Sequence, residues 1–368
     1  MILFKKLKLI EMIYMNKYSP FLKFKDGELT ALFNLDIADR NSIVPLLEIS
    51  RDDKLTEITL KTKIDRCSKR MSGKLESSFS FFIDNLEVPD KITINGDNNY
   101  LYLLNSFSNF DIIPVIGFDR VQTHKDICID YANYKTRKIA LRITQDYFDG
   151  FLAYKKDLND IIKRIKSDVN IIALLDCNYI DNDAIAEKCK INIIRILDYL
   201  KNMENFTNFV ITGSSLPTPI GDKVKTGTYV KINRHEIKLF GEILNYYPEL
   251  NLIFGDYTIV DPGYSEINID PKAMLNVITP KIIYSTLESQ YIIRGHKIKT
   301  HGFDQYFSQG KTIINEKFFR GKNFSWGDNY LHERTKQKTK KITPSSIIGP
   351  TVNAHIKFMI NEIIKGSI

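Results

Sequence analysis

The sequence contains few of the residues that mark disulfide-rich or zinc-binding proteins. Among 368 residues it has four cysteines, Cys67, Cys128, Cys177 and Cys189, and no two of them form a CxxC pair. This spacing supports neither a disulfide framework nor a zinc site, and no histidine pair has HExxH or HxH spacing. We therefore expect a cytoplasmic protein with reduced thiols and no zinc centre.

Long apolar runs and glycine-rich nucleotide motifs are also missing. No stretch is long and apolar enough to span a membrane, and the opening MILFKKLKLIEMIYM is interrupted by Lys8 and Glu11. Neither GxGxxG nor GxxxxGK[ST] occurs, which argues against Rossmann and P-loop folds. We interpret residues 1–16 as an N-terminal extension outside the fold; a weak amphipathic helix that contacts a membrane or a partner is the alternative.

The charge balance is basic, with a formal net charge of +8 and a pI near 9.0. An excess of this sign favours anionic partners such as nucleic acid, nucleotides or phosphorylated metabolites. Part of it comes from the run RTKQKTKK at 334–341, which we interpret as a solvated loop. The charge therefore indicates a class of ligand without locating it.

Eight short apolar runs are each long enough for one strand buried on both faces. They are YSPFLKFK (18–25), IVPLLEI (43–49), FSFFIDN (79–85), DIIPVIGFD (111–119), KIALRIT (138–144), NIIALLDC (170–177), NFVITGSS (208–215) and NLIFGDY (251–257). Helical patterns separate several of them, at 29–40, 157–166, 183–203 and 236–247. Strands that alternate with helices in this way predict an α/β protein with a (β/α)8 TIM-like barrel, with a doubly wound open sheet as the rival.

The pattern changes after the eighth strand. A hairpin is predicted at 282–295 and an amphipathic helix at 353–365, with an aromatic and basic stretch between them. We interpret 17–256 plus 351–368 as the barrel and 257–350 as a long insertion after strand eight, covering the C-terminal face of the barrel. The insertion is also the segment expected to contact any protein partner.

Polar residues follow nearly every predicted strand, at the end where barrel enzymes place their sites. The candidate catalytic residues are Glu48, Asp84, Asp176 and Asp256, and the candidate ligand-binding residues are Lys23, Lys25, Arg142, Tyr257, Arg294 and His296. Glu48, Asp176 and Asp256 are also candidate ligands for Mg²⁺ or Mn²⁺, which prefer carboxylate oxygens, although no cofactor is certain. Structural ion pairs and helix caps are the alternative roles for the same residues.

Three functions remain open at this point. Carboxylates with lysine and arginine around one mouth suit metal-dependent hydrolysis of phosphoesters or nucleic acid. Without metal, a carboxylic acid such as Glu48 or Asp176, its pKa raised by burial, could do acid–base chemistry on a sugar. The alternative to an enzyme is a binding module for a nucleic acid, a nucleotide or a phage protein.

The first predicted strands also resemble a known family. The segment YSPFLKFKDGELTAL, followed by IVPLLEI, is similar to the phage-type beta family, in which Y-x-P-x-L-K-x-K-x-G-E-x-x-A-L precedes P-L-x-E-I. The matching residues here are Tyr18, Pro20, Leu22, Lys23, Lys25, Gly27, Glu28, Ala31, Leu32, Pro45, Leu46, Glu48 and Ile49. Phe24 stands where the family has tryptophan. The resemblance implies a bacterial or phage origin and a role in phage–bacterium conflict such as anti-phage defence, without implying a particular chemistry.

Overall fold

The computed structural model describes residues 17–217, 219–260, 262–263, 276–336, 341–366 and 368. The predicted extension, residues 1–16, lies outside the described residues. Within them, all four cysteines are free and buried. No helix in the described part of the chain combines the length and the apolar character needed to cross a bilayer.

Eight parallel strands form a closed barrel. They are β1 (Tyr18–Lys23), β2 (Leu46–Glu48), β3 (Ser80–Asp84), β6 (Asp111–Gly117), β7 (Lys138–Thr144), β8 (Asn170–Tyr179), β9 (Phe206–Ser214) and β11 (Leu252–Asp256). Each strand pairs with the barrel strand before and after it in the chain, and β11 closes the ring by pairing with β1. The predicted (β/α)8 barrel is confirmed.

The described helices connect the strands and cover the barrel. They are α1 (Asp26–Phe33), α2 (Ile37–Asn41), α3 (Glu57–Ser72), α4 (Asn99–Ser106), α5 (Gln122–Tyr131), α6 (Lys155–Arg164), α7 (Asp183–Leu200), α8 (His235–Tyr246), α9 (Ile298–His301), α10 (Gln305–Asn315), α11 (Trp326–Lys336) and α12 (Pro344–Ile364). A large apolar core lies between these helices and the strands.

The barrel interior has its own small apolar core. Phe21, Leu46, Phe82, Ala140 and Leu174 belong to it and come from five different strands. Alternate residues of a strand face opposite sides of the sheet, so the residue two positions later on each strand also faces inward. This parity decides which strand-end side chains enter the mouth, the C-terminal opening of the barrel.

A second sheet lies beside the barrel. It contains β10 (Thr228–Asn233), β12 (Lys281–Ser285) and β13 (Ser289–Arg294) in the antiparallel order β10-β13-β12, and we call it the accessory sheet. The predicted hairpin at 282–295 is therefore confirmed as β12 and β13. Its third strand, β10, comes from the segment between β9 and α8. A two-stranded ribbon of β4 (Thr93–Ile94) and β5 (Asp97–Asn98) precedes α4.

The last helix, α12, packs on α1 and α11. It begins nine residues before the predicted start, because Thr343 and Ser346 form a capping box and Pro344 occupies its first turn. A methyl group added to Gly327 of α11 would come within 1.8 Å of the Pro350 carbonyl oxygen, so the two helices touch backbone to backbone. The division of the chain into a barrel and a 257–350 insertion stays a prediction.

Candidate functional site

The inward-facing residue at the C-terminal end of five strands is ionisable. These residues are Lys23, Glu48, Asp84, Arg142 and Asp176, each two positions after a residue of the interior core, and all are at most 4% exposed. With Tyr257, which follows β11, they form what we call the floor cluster. The sequence placed these six side chains at one mouth, and the structure brings them together.

Arg142 is the centre of the floor cluster. Its Nη1 lies 2.8 Å from Glu48 Oε2 and 2.9 Å from Asp84 Oδ2, and its Nη2 lies 2.7 Å from Asp176 Oδ2. Burial alone would lower the pKa of Arg142, but the Glu48, Tyr257 and Asp176 groups around it raise that pKa well above its ordinary value. One guanidinium thus holds three buried carboxylates in fixed positions.

The lysine of the floor cluster is paired as well. Lys23 Nζ donates to Glu48 Oε1, and both side chains are almost fully buried. Burial by itself would raise the pKa of Glu48, but the Lys23 and Arg142 cations outweigh it and lower that pKa to about 2. The expected pKa elevation of Glu48 is therefore wrong, because two cations rather than an apolar pocket surround this carboxylate.

The remaining floor groups complete the network. Tyr257 Oη donates to Asp176 Oδ2 at 2.7 Å and lies 3.1 Å from Arg142 Nη2. Arg120, which follows β6, binds Asp84 Oδ1 through Nη2 at 2.8 Å. The floor is therefore a satisfied set of ion pairs whose members are already partnered.

A cavity of about 270 Å³ lies above this floor. Its lining residues are Lys23, Glu48, Leu86, Glu87, Asp119, Arg142, Thr144, Asp146, Tyr147, Asp176, Asn178, Tyr257 and Pro262. Among the described residues that line the cavity, five side chains are acidic and two are basic. The described lining is therefore acidic in a protein that is basic overall, and an anion-accepting site stays a prediction.

The rim of the cavity carries three carboxylates and an aromatic ring. Asp119 Oδ2 lies 3.3 Å from Arg120 Nη1, whereas neither Glu87 nor Asp146 forms an ion pair with another described residue. The ring of Tyr147 is half-buried and packs edge-on against Tyr154, with ring centroids 4.9 Å apart. These rim residues follow strands three, four and five. Glu87, in a turn, and Asp146 and Tyr147, in a short 3-10 helix, were not predicted because they lie beyond the strand ends.

Glu28 is a buried acid behind the mouth that the sequence analysis did not select. It lies in the first turn of α1, is 3% exposed, and accepts a hydrogen bond from the Lys23 backbone N–H at 3.2 Å. Burial raises its pKa to about 7, against the lowering effects of Lys23 and Lys25. The sequence feature that could have identified Glu28 is an acidic residue in the first turn of a helix whose other buried residues are apolar.

Asp256 lies on the other side of the barrel wall. Its partners are Tyr18 of β1, Arg234 before α8 and His355 of α12, and neither Asp256 nor any of these partners lines the cavity. Burial would raise the pKa of Asp256, but His355 and Arg234 lower it to about 2. The structure therefore does not bring this candidate together with Glu48 and Asp176.

Three other candidates also lie away from the floor cluster. Lys25 is the N-cap residue of α1, beyond the end of β1. Arg294 ends β13 and binds Thr279 Oγ1 at 2.9 Å and the carbonyl oxygen of Val224. The ring of His296 stacks on that of His301, with centroids 4.8 Å apart. Arg294 and His296 therefore support the accessory sheet and its loops.

The predicted metal site is not assembled. Glu48 and Asp176 both bind Arg142, so a cation already occupies the space between them, and Asp256 faces away. No group of three or more His, Cys, Asp or Glu side chains in the described part of the chain could hold a metal ion. We derive no chemistry from Mg²⁺ or Mn²⁺ at this mouth.

Comparison with protein families identifies the chain. The model of the Beta protein family matches residues 18–361, which extend from β1 to the last turn of α12. The chain belongs to the Beta protein family. In this family member the match includes the whole barrel, the floor cluster and the described accessory sheet, and it confirms the resemblance seen in the first strands. A comparison with curated proteins finds no match.

Proposed function

We propose that the barrel mouth binds a small ligand through a cationic group, an amine or a guanidinium. The observation that carries this proposal is the charge of the cavity lining, in which acidic side chains outnumber basic ones by five to two. Low-dielectric walls strengthen the field of such a cluster and attract the opposite charge. Like the predicted binding module, the proposed site involves no catalysis, but its ligand is a small cation and not a nucleic acid, a nucleotide or a phage protein.

The pairing of the two floor cations supports this choice of ligand. Lys23 binds Glu48, and Arg142 binds three carboxylates, so neither has a charge to offer an incoming anion. A phosphate group would have to displace a carboxylate that is fixed in place and would meet the rim acids on the way. A cation meets two rim acids, Glu87 and Asp146, that form no ion pair with another described residue.

The rim supplies the contacts that a cation needs. Glu87 and Asp146 are exposed acids, and Asp119 is paired with Arg120, which also binds Asp84 of the floor cluster. Tyr147 is fixed by Phe118 and Tyr154, with centroids 5.6 Å and 4.9 Å away. An aromatic ring beside carboxylates is a common way to bind ammonium and guanidinium groups. The cavity volume of about 270 Å³ suits one such group with a short stem.

The floor cluster does not favour hydrolysis of phosphoesters or nucleic acid. Glu48 has a pKa of about 2 and stays ionised at neutral pH, so it cannot serve as a general acid. Asp84 is fully buried beneath the cavity and is held by two arginines. A nucleophilic or metal-binding role would require these pairs to open.

A thermal-shift panel tests the proposal. Agmatine and spermidine should raise the melting temperature of the wild-type protein, whereas inorganic phosphate and AMP should not. The double variant Glu87→Gln/Asp146→Asn should lose the shift, and Asp168→Asn, a control acid on the exposed surface, should keep it. Stabilisation by AMP or phosphate and none by the cations would overturn the proposal and restore the anion-binding alternative.

The biological setting remains a prediction from the family resemblance. The resemblance predicts a role in phage–bacterium conflict, and the sequence predicts a protein partner that contacts 257–350. The four free, buried cysteines support the predicted cytoplasmic location. Plating of phages on cells that carry the wild-type chain or Glu87→Gln/Asp146→Asn would test the role in phage–bacterium conflict. Equal plating on both strains and on cells without the chain would count against a defence role that uses the mouth.

A further inference from the structure

Asp256 and Tyr257 are neighbours in the chain but point to opposite sides of the barrel wall. Tyr257 faces inward and binds Asp176 and Arg142 at the floor of the cavity. Asp256 faces outward, toward the accessory sheet and α12. Anything that holds Asp256 therefore also holds the backbone from which Tyr257 projects.

The outward carboxylate is held by three side chains. His355 Nε2 lies 2.9 Å from Asp256 Oδ2, Arg234 Nη2 lies 2.6 Å from the same oxygen, and Tyr18 Oη donates to Oδ1. All four side chains are at most 3% exposed. They belong to β11, α12, β1 and the residue that precedes α8, so one buried carboxylate joins four parts of the fold.

His355 extends the network to the accessory sheet. Its Nδ1 lies 2.8 Å from Ser285 Oγ on β12. Burial lowers the pKa of His355, and the Asp256 carboxylate acts in the opposite direction. The carboxylate can only accept a hydrogen bond, so Nε2 of the ring carries a proton and donates to Asp256, and Nδ1 faces the Ser285 hydroxyl.

The residue after Tyr257 is held as well. Thr258 has φ of 57°, in the left-handed region that a β-branched side chain rarely adopts. Its N–H donates to Asp256 Oδ1 at 2.8 Å, and its carbonyl oxygen accepts from Gln290 Nε2 of β13 at 2.8 Å. A strained conformation of this kind persists only where its surroundings fix it. Asp256 and the accessory sheet therefore fix the backbone on the far side of Tyr257.

The residue types Ser285, His355 and Asp256 also match those of a hydrolytic triad. Ser285 and His355 are each 1% exposed, and Ser285 does not line the cavity above the floor cluster. A substrate carbonyl could not reach the hydroxyl without unpacking β12 from α12. Their role here is therefore to position other residues and not to react.

We propose that Asp256, His355, Arg234, Tyr18 and Ser285 form a clamp that positions Tyr257 in the mouth. The clamp makes ligand affinity depend on side chains that never touch the ligand, and it connects the accessory sheet to the site. This inference rests on the proposed function for its consequence in binding. The position of Tyr257 itself can be measured without any ligand.

Fluorine NMR of fluorotyrosine-labelled protein reads the position of Tyr257 directly. The Tyr257 resonance is assigned as the one lost in Tyr257→Phe. His355→Gln keeps a side chain of similar size but cannot bridge Asp256 and Ser285 in the same geometry, so it should shift or broaden that resonance. His332→Gln, at a surface histidine paired with Glu333, is the matched control and should leave it unchanged. An unchanged Tyr257 signal in folded His355→Gln overturns the clamp.

Binding of agmatine then tests the consequence. His355→Gln should weaken affinity by about five- to tenfold, the size expected when one hydrogen bond is misplaced. Tyr257→Phe/His355→Gln should bind no more weakly than Tyr257→Phe alone, because the histidine acts through the tyrosine. Additive losses, or an unchanged affinity in His355→Gln, would overturn the positioning role.

Two further outcomes keep the test decisive. If His355→Gln does not fold, Ser285→Ala removes only the outer hydrogen bond and should shift the Tyr257 resonance to a smaller extent; no shift there overturns the clamp. If the resonance shifts as expected but the wild-type protein binds no agmatine, the clamp stands and the proposed function of the mouth fails.

Discussion

At the scale of single residues, Arg142 is the side chain on which the mouth depends most. Replacing it by methionine leaves Glu48, Asp84 and Asp176 buried together without their common cation. We expect Arg142→Met to lower the free energy of unfolding by roughly 3–5 kcal/mol, the usual cost of breaking a buried ion pair from one side. Urea unfolding followed by circular dichroism measures this loss.

The control for Arg142 is an arginine in an exposed pair. Arg137 binds Asp168 at 3.2 Å, and both side chains are about half-exposed or more. Arg137→Met should change the free energy of unfolding by less than about 1 kcal/mol, because water screens a surface pair. Equal losses of unfolding free energy in the two variants would mean that the floor cluster stabilises the protein no more than an exposed ion pair does.

The raised pKa of Glu28 predicts that the free energy of unfolding depends on pH near neutrality. Its pKa in the folded protein is about 7, above the ordinary value of 4.5, so the folded state keeps a proton that the unfolded state releases. Stability from this group therefore falls as pH rises from about 4.5 through about 7, and it stays reduced above that pH. Glu28→Gln should remove this fall and be more stable than wild type at about pH 8, by roughly 1–3 kcal/mol.

Urea midpoints at about pH 5 and about pH 8 measure the effect of Glu28. Asp160→Asn changes an exposed acid on α6 and should leave the wild-type pH dependence unchanged. A Glu28→Gln protein that loses stability between the two pH values as steeply as wild type would show that another group is responsible.

Two residues show what could be predicted about the site and what could not. Asp256 and Tyr257 were both assigned to the mouth, yet strand parity allows only one of two consecutive residues to face inward. That correction was available from the sequence alone. The sequence alone could not show that Lys23 and Arg142 are each paired with carboxylates. Those ion pairs depend on the distances between strands that are far apart in the chain.

At the scale of secondary-structure elements, the close contact between α11 and α12 predicts that an alanine at Gly327 destabilises the protein. Gly327→Ala would place a methyl group 1.8 Å from the Pro350 carbonyl oxygen, so the helices must separate. Its free energy of unfolding should fall by roughly 1–3 kcal/mol or more. Gly241→Ala in α8 meets nothing within 4 Å and should instead gain about 0.5–1 kcal/mol from its better helix propensity.

Thermal and urea unfolding of these two alanine variants measure effects of opposite sign. The comparison separates close helix packing from the general preference of helices for alanine. A neutral Gly327→Ala protein would mean that α11 does not pack on the α12 backbone as described.

The strands were predictable from the sequence because each is a short apolar run buried on both faces. All eight predicted barrel runs overlap an observed strand, with ends that differ by a few residues. The helices were less accessible: α3 and α5 were not singled out, since their surfaces are largely polar. The strand β10 was also missed, because its pairing with β13 joins residues about 60 positions apart.

At the scale of the whole molecule, the net charge and the charge of the described mouth differ in sign. The chain carries +8 overall, yet the lining of its mouth is mostly acidic. The two facts are compatible because net charge sums over the entire surface, whereas a cavity responds to the few side chains around it. Fold class could be predicted from periodicity alone, but the sign of the site required the positions of loop residues such as Glu87 and Asp146.

Isothermal titration calorimetry of agmatine and of inorganic phosphate into the same wild-type protein at neutral pH tests most directly whether the barrel mouth binds a cation. We expect saturable binding of agmatine to one site and no heat of binding from phosphate. Glu87→Gln/Asp146→Asn should lose at least about tenfold in affinity for agmatine. Saturable binding of phosphate and none of agmatine would contradict cation binding at the mouth and would indicate that Lys23 and Arg142 bind an anion.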